Sequence, residues 1–464
     1  MLTFKKIEIE DADTLRVYYS SCSYGLCDYS AGTMMMWKPL RAEYALAAGC
    51  LIVRVYDGEK MYFHYPVPGP NGDEDAALSE IENVCISAGL PLSFSVVPKE
   101  KLAHVVERYP LCRIGGIRAW QDYIYRMEDM RSFAGRHYSG QRNHINKFCS
   151  SYPTAHFCVL TAADAPRLES FFEEYRSTLS AGEAGRAEEL LYTKELFRLL
   201  GRPDFPAGGI ELEGKLIAVS MAEICGDMLL VHSEKALYRY EGVYPTLVRE
   251  FADAFGKNLR WCNREDDAAE KGLRTSKLQY RPAYMGEKYR VDIENEAFYL
   301  KAIPEIGTER LTLRAFREKD IAAYQTLCLD DEWNRYWGYD YREDLHEELT
   351  DRYFFEVQKR DFANRVAVNF AITLEDECIG EAIVYSFDMR GGAELGLRLL
   401  PEYSGHGYGR EAFCALKDWA LYSLGLRRVK VRCYHENAAS KKMVSSYMRP
   451  AGADETFLYF EATV

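Results

Sequence analysis

The segment of this sequence with the clearest chemical signature is PEYSGHGYGREA, where glycine recurs at Gly405, Gly407 and Gly409. The loop lies between a predicted strand and a predicted helix. Glycine lets main-chain N–H groups approach an anion closely, and the start of a helix adds the positive end of its dipole. The pattern predicts a pyrophosphate-binding loop, although a tight strand-to-helix turn has the same composition. A Rossmann-type site is disfavoured because no βαβ unit with an acidic ribose ligand surrounds the loop.

The residues around this loop alternate in ways that predict the elements holding it. The stretches with the period of strands are RLTLRAF, AVNFAIT, ECIGEAIVYSF, ELGLRLL and RRVKVRCY. Apolar residues recur at helical spacing from Gly409 to Leu424, and a short helix is predicted to begin at Asn437. A final strand fits Thr456 to Ala462. Together these elements predict a mixed α+β fold, in which a twisted sheet is flanked by helices.

A similar order of strands and helices recurs upstream, from about residue 154 to residue 289. Between the two segments lies IENEAFYLKAIPEIGT, which lacks a clear period and contains Pro304 and Gly307. This stretch predicts the main domain boundary near residue 300. The first 150 residues contain a predicted hairpin that turns at Asp57-Gly58, and a predicted strand, SFSVVP. We therefore predict three lobes, which cover residues 1–150, 151–295 and 305–464.

Composition narrows the class of protein. A chain of 464 residues is too long for a single hydrophobic core. The net charge of -13 favours cationic small substrates and argues against a general nucleic-acid binder. The 13 cysteines include no C-x-x-C pair, so no metal site is predicted. The N-terminus lacks the apolar stretch of a signal peptide, and we expect a cytoplasmic protein without membrane insertion.

The C-terminal segment, from about residue 308 to residue 464, resembles the Rim-type branch of the GNAT acetyltransferases. The stretches that carry the resemblance are RLTLRAFREKD, ECIGEAIVY, ELGLRLLPE, SGHGYG and HENAAS. The resemblance implies a GNAT fold and a cofactor that is acetyl-CoA or another short acyl-CoA. It also implies that the CoA pyrophosphate binds to the loop formed by Ser404, Gly405, His406, Gly407, Tyr408 and Gly409. Ser404 departs from the family pattern, in which Arg or Gln is usual, so one side-chain contact is expected to be missing while the main-chain contacts remain.

Further cofactor contacts follow from the same resemblance. The main chain of Leu397 and Leu399 is expected to bind the pantetheine arm, where the fourth strand of the sheet diverges from the fifth. Asn437 matches the asparagine that contacts CoA in the family, and Asn is also a favoured helix N-cap. The two roles are compatible.

The resemblance also nominates catalytic residues. Glu394 matches a glutamate that opens the fourth strand and is the first candidate for the base that deprotonates an amine; Glu381, on the neighbouring strand, is the second. A carboxylate can accept this proton when burial raises its pKa. Ser440 matches a common serine, whereas Val444 occupies the place of the usual tyrosine acid. The thiol leaving group, with a pKa of about 8.5, would then be protonated by Ser440 or by solvent.

The same resemblance implies that the aromatic stretch DDEWNRYWGYDY covers the acceptor side of the cofactor cleft. Such a cluster more often serves packing than substrate binding.

Residues 1 to about 290 resemble a bacterial family related to the C-terminal domain of phosphatidylglycerol lysyltransferase. The stretches concerned are CDYSAGTMMMW, DYIYRMEDM, QRNHINKF, HSEKALYRYEGVYPTLVREFADAF and WCNREDDAAEKGLRTSKLQYRPAY. The resemblance implies two GNAT-like folds in tandem, as in aminoacyl-tRNA-dependent transferases. The equivalent loop, YRYEGVYP, keeps Gly242 but adds Glu241, and a carboxylate beside a phosphate is unfavourable. We therefore do not expect ordinary CoA binding in this fold.

Two basic stretches in this region are candidates for contact with the acceptor end of an aminoacyl-tRNA, whose phosphates they would pair with. Solvated helix faces would have the same composition. The basic residues are Arg131, Arg136, Arg142, Lys147, Lys271, Arg274, Lys277 and Arg281. Asn263, Glu265 and Asp266 form a further polar group after an apolar strand, without an assigned role.

The favoured hypothesis is an acyl-CoA-dependent N-acyltransferase that acylates a primary amine, on a small molecule or a peptide, by direct attack. One alternative is an aminoacyl-tRNA-dependent transferase that works through the N-terminal lobes. Another is a non-enzymatic sensor that binds CoA. The sequence defines neither the acceptor nor the oligomeric state.

Overall fold

The computed structural model of the protein describes residues 2–37, 42–88, 90–179, 184–343, 345 and 348–464. The chain forms two compact units. The N-terminal unit comprises the chain up to His104 together with Ile114–Asp292, and the C-terminal unit comprises Val105–Arg113 and Ile293–Val464. In the described residues, three mixed sheets flanked by helices confirm the predicted α+β class.

The strands are β1 (Lys5–Lys6), β2 (Glu43–Ala47), β3 (Cys50–Asp57), β4 (Lys60–His64), β5 (Val67–Pro68), β6 (Ser93–Pro98), β7 (Cys112–Gly115), β8 (Asp122–Arg126), β9 (His156–Leu160), β10 (Ala207–Leu212), β11 (Lys215–Cys225), β12 (Met228–Ala236), β13 (Trp261–Asn263), β14 (Tyr284–Gly286), β15 (Lys288–Ile293), β16 (Ile306–Gly307), β17 (Leu311–Arg314), β18 (Ala367–Leu374), β19 (Glu377–Tyr385), β20 (Gly392–Leu399), β21 (Arg428–Tyr434), β22 (Arg449–Ala453) and β23 (Phe457–Thr463).

The α-helices are α1 (Ala12–Tyr19), α2 (Ala31–Met36), α3 (Glu74–Ala88), α4 (Lys99–Arg108), α5 (Met127–Ser132), α6 (Ser139–Ser151), α7 (Ala165–Ser177), α8 (Ala184–Thr193), α9 (Val243–Phe255), α10 (Lys271–Gln279), α11 (Ile321–Leu329), α12 (Tyr353–Ala363), α13 (Tyr408–Asp418) and α14 (Ala438–Val444). A turn of π-helix, Trp419–Ser423, extends α13.

The N-terminal unit contains two sheets that are interleaved along the chain. The first sheet has the order β1-β2-β3-β4-β6-β15, with β5 paired to β3, and the second has the order β14-β8-β13-β12-β11-β10-β9. Strand β8 precedes residue 150 and lies in the second sheet, whereas β15 near residue 290 pairs with β6 in the first. The lobe boundaries at residues 150 and 295 stay predictions. Any division of this unit into lobes must keep β8 with the second sheet and β15 with the first.

The C-terminal unit contains the third sheet, in the order β16-β17-β18-β19-β20-β21-β23-β22. Strands β20 and β21 run parallel, as β12 and β13 do in the second sheet. On β20 the side chains of Ala393, Leu395 and Leu399 belong to the core, which also includes Phe413 and Leu416 of α13. Because side chains alternate along a strand, Glu394, Gly396 and Arg398 lie on the opposite face. One face of β20 therefore holds the helix after the glycine loop, and the other carries the polar residues.

The segment from Ile293 to Thr308 packs against the C-terminal core. The Asn295 side chain accepts a hydrogen bond from the Ala297 amide at the start of a short 3₁₀ helix. Ala297 is fully buried, and Leu300 and Ile303 contact the same core. The segment that lacks a period in the sequence is thus a structured part of the C-terminal unit.

None of the helices in the described part of the chain combines the length and the apolar character needed to cross a membrane.

Candidate functional site

The parallel strands β20 and β21 diverge part way along their length. They are paired only from Gly392 to Glu394 on β20 and from Arg428 to Lys430 on β21. Beyond this point each strand continues, and β20 stays paired with β19 through Leu399. The divergence opens a cleft in the middle of the sheet, and Glu394 lies at the position where the cleft begins.

The main chain of β20 faces this cleft at alternate residues. The carbonyl oxygen of Leu399 accepts a hydrogen bond from the Trp333 indole N–H at 2.6 Å, while the next amide, that of Leu400, donates to Ile379 of β19. Because main-chain groups alternate in direction along a strand, those of Leu397 face the same side as those of Leu399. The cleft edge of β20 is therefore lined by main-chain donors and acceptors.

The glycine loop follows directly and presents a run of unpaired amides. The N–H groups of residues 405–410 donate to no acceptor within the described ranges of the chain. Gly405 and Gly407 both have φ of +83°, in the left-handed region that favours glycine. Gly407 is also the N-cap of α13 and provides no side chain to cap it. Six free amides thus meet the positive end of a helix, which is the arrangement of an anion site.

The space around this loop is open. A Cβ atom at Gly405 would meet nothing within 4 Å, and at Gly407 it would meet only the Arg310 Nη2 atom at 3.4 Å. At Gly409 a Cβ atom would lie 3.6 Å from the side chains of Leu397 and Leu399, at the mouth of the cleft. The loop residues Ser404 and His406 are exposed, and Tyr408 is half-buried. Gly409 thus joins the loop to the cleft strand β20, and these residues fit a cofactor that carries an anionic group and an amide-containing arm.

Glu394 is hydrogen-bonded yet accessible. Its carboxylate accepts a hydrogen bond from the Tyr385 hydroxyl at 3.0 Å and lies 3.4 Å from the Arg432 Nε atom. Its side chain is 24% exposed. Burial, together with the charge of Glu394, raises the pKa of Tyr385 to about 12, so its hydroxyl stays protonated and remains a donor to the carboxylate. The Tyr385 hydroxyl therefore holds the Glu394 carboxylate at the start of the cleft.

Glu381 is in a different situation. It is 1% exposed, and it accepts hydrogen bonds from Tyr324 at 2.7 Å, Asn369 at 2.8 Å and Arg398 at 2.8 Å. The Arg398 guanidinium also donates to Asn334 and lies 4.3 Å from the centre of the Trp337 ring. The carboxylate is thus enclosed by donors and fixed by an ion pair, a geometry that suits a structural role.

On the other side of the cleft, α14 follows β21. The Asn437 side chain accepts a hydrogen bond from the Ser440 amide at 3.1 Å and is therefore the N-cap of α14. The Ser440 hydroxyl lies 3.2 Å from the Cys433 Sγ atom, and burial raises the pKa of that thiol. Val444 is fully buried in the core. The structure brings Asn437 and Ser440 to the start of one helix, and their roles toward a cofactor stay predictions.

The aromatic stretch lies across the cleft. Trp333 bonds to the Leu399 carbonyl, and the Trp337 ring would lie 3.1 Å from a Cβ atom at Gly396. The Tyr336 ring is 5.7 Å from the Tyr434 ring of β21. This stretch therefore contacts both diverging strands and covers the polar face of β20.

In the N-terminal unit the equivalent loop is closed by the chain itself. Gly242 is the N-cap of α9 with φ of +86°, in nearly the same conformation as Gly407. A Cβ atom at Gly242 would collide with the main-chain carbonyl oxygen of His144 in α6 and lie 3.0 Å from Phe148. Helix α6 therefore packs directly against Gly242, whereas the space beside Gly407 is open, and the expectation that this fold does not bind CoA in the ordinary way stays a prediction.

The same unit contains a buried polar cluster that sequence reasoning missed. The Lys288 ammonium contacts the Asp122 carboxylate at 3.0 Å, the Cys27 Sγ atom at 3.3 Å and the Asp28 carboxylate. Asn263 donates to Asp122 at 2.8 Å. Burial opposes the charge on Lys288, but the two carboxylates keep its pKa above the ordinary value. Apart from the adjacent Cys27 and Asp28, these residues are far apart in the sequence, and the local signal is an ionisable residue at the start of each of the strands β8 and β15.

A second buried group adjoins the polar residues named from the sequence. His232 contacts Glu265 at 3.1 Å and lies 3.5 Å from Glu223. Glu223 is also bonded to Arg16 at 2.7 Å and to the Gly32 amide at 2.7 Å. Burial opposes the charge of His232, yet the two glutamates raise its pKa to about 9. Among the residues predicted as a polar group, Asn263 and Glu265 thus have defined partners.

The two basic stretches of the N-terminal unit lie side by side, since Tyr138 donates to the Tyr280 carbonyl at 2.9 Å and Gln141 to the Gln279 carbonyl at 3.0 Å. Several of their charges are neutralised or buried. Lys277 is buried and donates to main-chain carbonyls, and three others form ion pairs. The ion pairs are Arg131 with Asp253, Lys147 with Glu241, and Arg274 with Asp267.

Comparison with known proteins defines the class of the C-terminal unit. The model of the acetyltransferase (GNAT) domain family matches residues 310–447. Two proteins of Bacillus subtilis strain 168 are similar to this part of the chain. The uncharacterized N-acetyltransferase YoaA is 24% identical over 144 residues, which are 30% of this chain and 80% of that protein. The uncharacterized N-acetyltransferase YnaD is 26% identical over 145 residues, 30% of this chain and 78% of that protein. The C-terminal unit is a GNAT-family acyltransferase, of the general class of acyl-CoA N-acyltransferases.

The N-terminal unit places the chain in a family. The family model described as phosphatidylglycerol lysyltransferase, C-terminal, matches residues 23–292, which is more than half of the chain. The chain belongs to this family. A crystal structure of a conserved protein of unknown function from Bacteroides thetaiotaomicron is 26% identical with a TM-score of 0.58 and covers 63% of this chain and all of that chain. Both resemblances noted in the sequence are thereby confirmed.

Proposed function

We propose that the C-terminal unit uses acetyl-CoA, or another short acyl-CoA, to acylate a primary amine. The observation that carries the proposal is the run of six free amides at residues 405–410, which opens onto the cleft between β20 and β21. A pyrophosphate is the kind of anion that such amides and a helix N-terminus stabilise. When bound, the cofactor supplies an acyl group activated as a thioester.

Cofactor binding is assigned to main-chain groups. The amides of the glycine loop and the start of α13 hold the pyrophosphate, and the main chain of Leu397 and Leu399 holds the pantetheine arm. The Leu399 carbonyl already accepts a hydrogen bond from Trp333, so either its amide makes the contact or the indole moves aside. The Asn437 side-chain oxygen caps α14, which leaves its amide N–H groups for the cofactor.

Glu394 is assigned the role of base. It lies where the strands begin to diverge, and it accepts the proton of the attacking amine directly or through one water. The Tyr385 hydroxyl holds the carboxylate in place. We favour direct attack over a covalent enzyme intermediate because burial keeps the Cys433 thiol protonated. Ser440 or solvent then protonates the thiolate that leaves.

The first experiment is calorimetric titration of acetyl-CoA into the full chain and into two variants of Gly409. Gly409 has no positive φ, and a Cβ atom there makes only ordinary contacts, so both variants are expected to fold. Gly409→Gln adds bulk, and Gly409→Glu adds the same bulk with a negative charge. We expect one-to-one binding to the parent and a further loss of at least ~10-fold in affinity from Gln to Glu, since each ~1.4 kcal/mol of added repulsion is tenfold.

Three outcomes distinguish the alternatives. No binding of acetyl-CoA to the parent protein contradicts the proposal. Equal affinities of the Gln and Glu variants contradict an anion site at the loop. Binding without turnover of any amine, in a screen that includes polyamines and peptides with a free N-terminus, would support a CoA-binding sensor instead.

An aminoacyl-tRNA-dependent activity of the N-terminal unit is a second candidate, favoured by the contact between the two basic stretches. Arg136, Lys271 and Arg281 are exposed and supply charge there. The test is binding of an aminoacyl-tRNA by the full chain and by the triple variant with Gln at these positions. The candidate requires that the variant binds more weakly and with a smaller dependence on salt concentration. Equal binding by both proteins would exclude this surface.

A further inference from the structure

The Arg310 side chain lies against the glycine loop although it comes from the turn just before β17, 96 residues before His406 in the chain. Its Nε and Nη2 atoms contact the Glu411 carboxylate at 2.8 and 2.7 Å. Its Nη1 atom donates to the His406 carbonyl at 3.1 Å, and its guanidinium lies 4.6 Å from the centre of the Tyr408 ring. The guanidinium is therefore fixed at the edge of the loop from several directions.

Glu411 is the residue that sets this position. It lies in the first turn of α13, and its other carboxylate oxygen accepts hydrogen bonds from the Thr308 hydroxyl at 2.6 Å and from the Arg310 amide at 2.8 Å. Main chain and side chain of Arg310 are thus held by one carboxylate. A side chain held in this way loses little conformational freedom when it meets a ligand.

The guanidinium keeps donors that its present partners do not use. Arginine has five N–H groups, and the contacts with Glu411 and His406 engage three of them, which leaves one on each terminal nitrogen. The Nη2 atom lies 3.4 Å from the position of a Cβ atom at Gly407, in the open space above the loop. Arg410, the other arginine here, instead contacts Tyr447 through its Nε atom and its guanidinium plane.

We infer that Arg310 is a phosphate-binding residue of the cofactor site, with Glu411 as its positioning residue. The inference rests on the function proposed above. The loop supplies only neutral donors, because Ser404 has no charge and the amides of residues 405–410 carry partial charges only. Arg310 adds a full positive charge and two N–H groups beside Gly407. The anion is thus held by main chain on one side and by a side chain from the turn before β17 on the other.

The experiment measures CoA affinity by calorimetry, at several salt concentrations, for the full chain and for Arg310→Gln, Arg310→Lys and Arg449→Gln. Arg449 is the matched control, since it pairs with Glu461 at 3.0 Å in the same unit and lies on the edge strand β22. Charge-assisted hydrogen bonds predict a loss of ~10- to 100-fold for Arg310→Gln. Arg310→Lys keeps the charge without the paired donors and should recover part of the loss.

The dependence of CoA affinity on salt concentration distinguishes direct contact of Arg310 with the anion from a role in holding the loop in shape. If Arg310 contacts the anion, the affinity of Arg310→Gln falls less steeply with salt than that of the parent, whereas Arg449→Gln behaves like the parent. Unchanged CoA affinity in Arg310→Gln overturns the inference and leaves the proposed function intact. An affinity loss with an unchanged salt dependence also overturns it, because the residue then acts only on the shape of the loop. If the parent protein does not bind CoA, the proposed function itself is contradicted.

Discussion

In the Glu381→Gln variant, the centre of the third sheet should open more readily, while the acyl-transfer step itself should not be affected. The carboxylate is 1% exposed and faces the Arg398 guanidinium, with Tyr324 and Asn369 as additional donors. The amide of Gln retains one acceptor for these donors but removes the charge. Arg398 then remains as a charged group without its carboxylate.

The size of the effect follows from the burial of the pair. Removing one partner of a buried ion pair costs ~3–5 kcal/mol, because the remaining charge stays desolvated. The Arg398 side chain is 11% exposed and keeps its contacts with Asn334 and Trp337, so the lower limit applies. A loss of ~3 kcal/mol corresponds to ~100-fold in the equilibrium between closed and open forms.

Hydrogen exchange on the full chain measures this locally. Amides of β18 and β19 should exchange ~100-fold faster in Glu381→Gln, while peptides of the N-terminal unit keep their rates. Arg398→Met should have a similar effect alone, and the double variant should be less destabilised than the sum, since both polar partners are then absent. Unchanged exchange in Glu381→Gln would refute the structural role and return Glu381 to the list of candidate bases.

Three further predictions use other groups. Glu394→Gln should lower kcat ~100- to 10,000-fold for any accepted amine while the affinity for acetyl-CoA stays unchanged, and a kcat within a few-fold of the parent would exclude this base. Burial raises the pKa of Glu296 to about 7, so the folded protein loses stability as pH rises from the unfolded value of 4.5 through 7. In thermal unfolding, Glu296→Gln should therefore gain stability relative to the parent between about pH 3.5, where both states are protonated, and pH 8. An equal difference between the two proteins at both pH values would contradict this assignment. Although burial opposes its charge, two glutamates raise the pKa of His232 to about 9. The stability that this shift contributes is fully present below pH 6.5, the unfolded value, and is lost as the pH rises through 9. His232→Gln should therefore cost more stability at pH 6 than at pH 9.5, and equal costs at both pH values would contradict the assignment.

The elements of the C-terminal sheet were accessible from the sequence because their signals are local. The alternation of AVNFAIT and ECIGEAIVYSF predicts β18 and β19, and the acidic turn between them contains Glu375 and Asp376, both with positive φ. The predicted helix start at Asn437 is confirmed by a side-chain cap. Period and capping depend on neighbours within a few residues, which a single sequence records.

The arrangement of the N-terminal unit depends on pairings over long distances. β15 pairs with β6 almost 200 residues earlier, and no local pattern in KYRVDI identifies that partner. The contact between Lys288 and Asp122 joins residues 166 positions apart, close to the pairing of Gly286 in β14 with Asp122 in β8, and could not be predicted either. Likewise, the glycines of the loop define the candidate anion site by their type alone, whereas the enclosure of Glu381 depends on residues from α11, β18 and β20.

Gly242 and Gly407 have nearly equal φ values, and each precedes a helix, yet substitutions at the two positions would be selected against for different reasons. At Gly242 every side chain must displace the main chain of α6, so a variant is lost through misfolding in any environment. At Gly407 the surrounding space is open. A side chain there is disfavoured only by the left-handed backbone conformation and by any ligand that occupies the loop. Deep mutational scanning would therefore find the first position intolerant in an abundance assay, whereas intolerance at the second would depend on whether growth requires the activity.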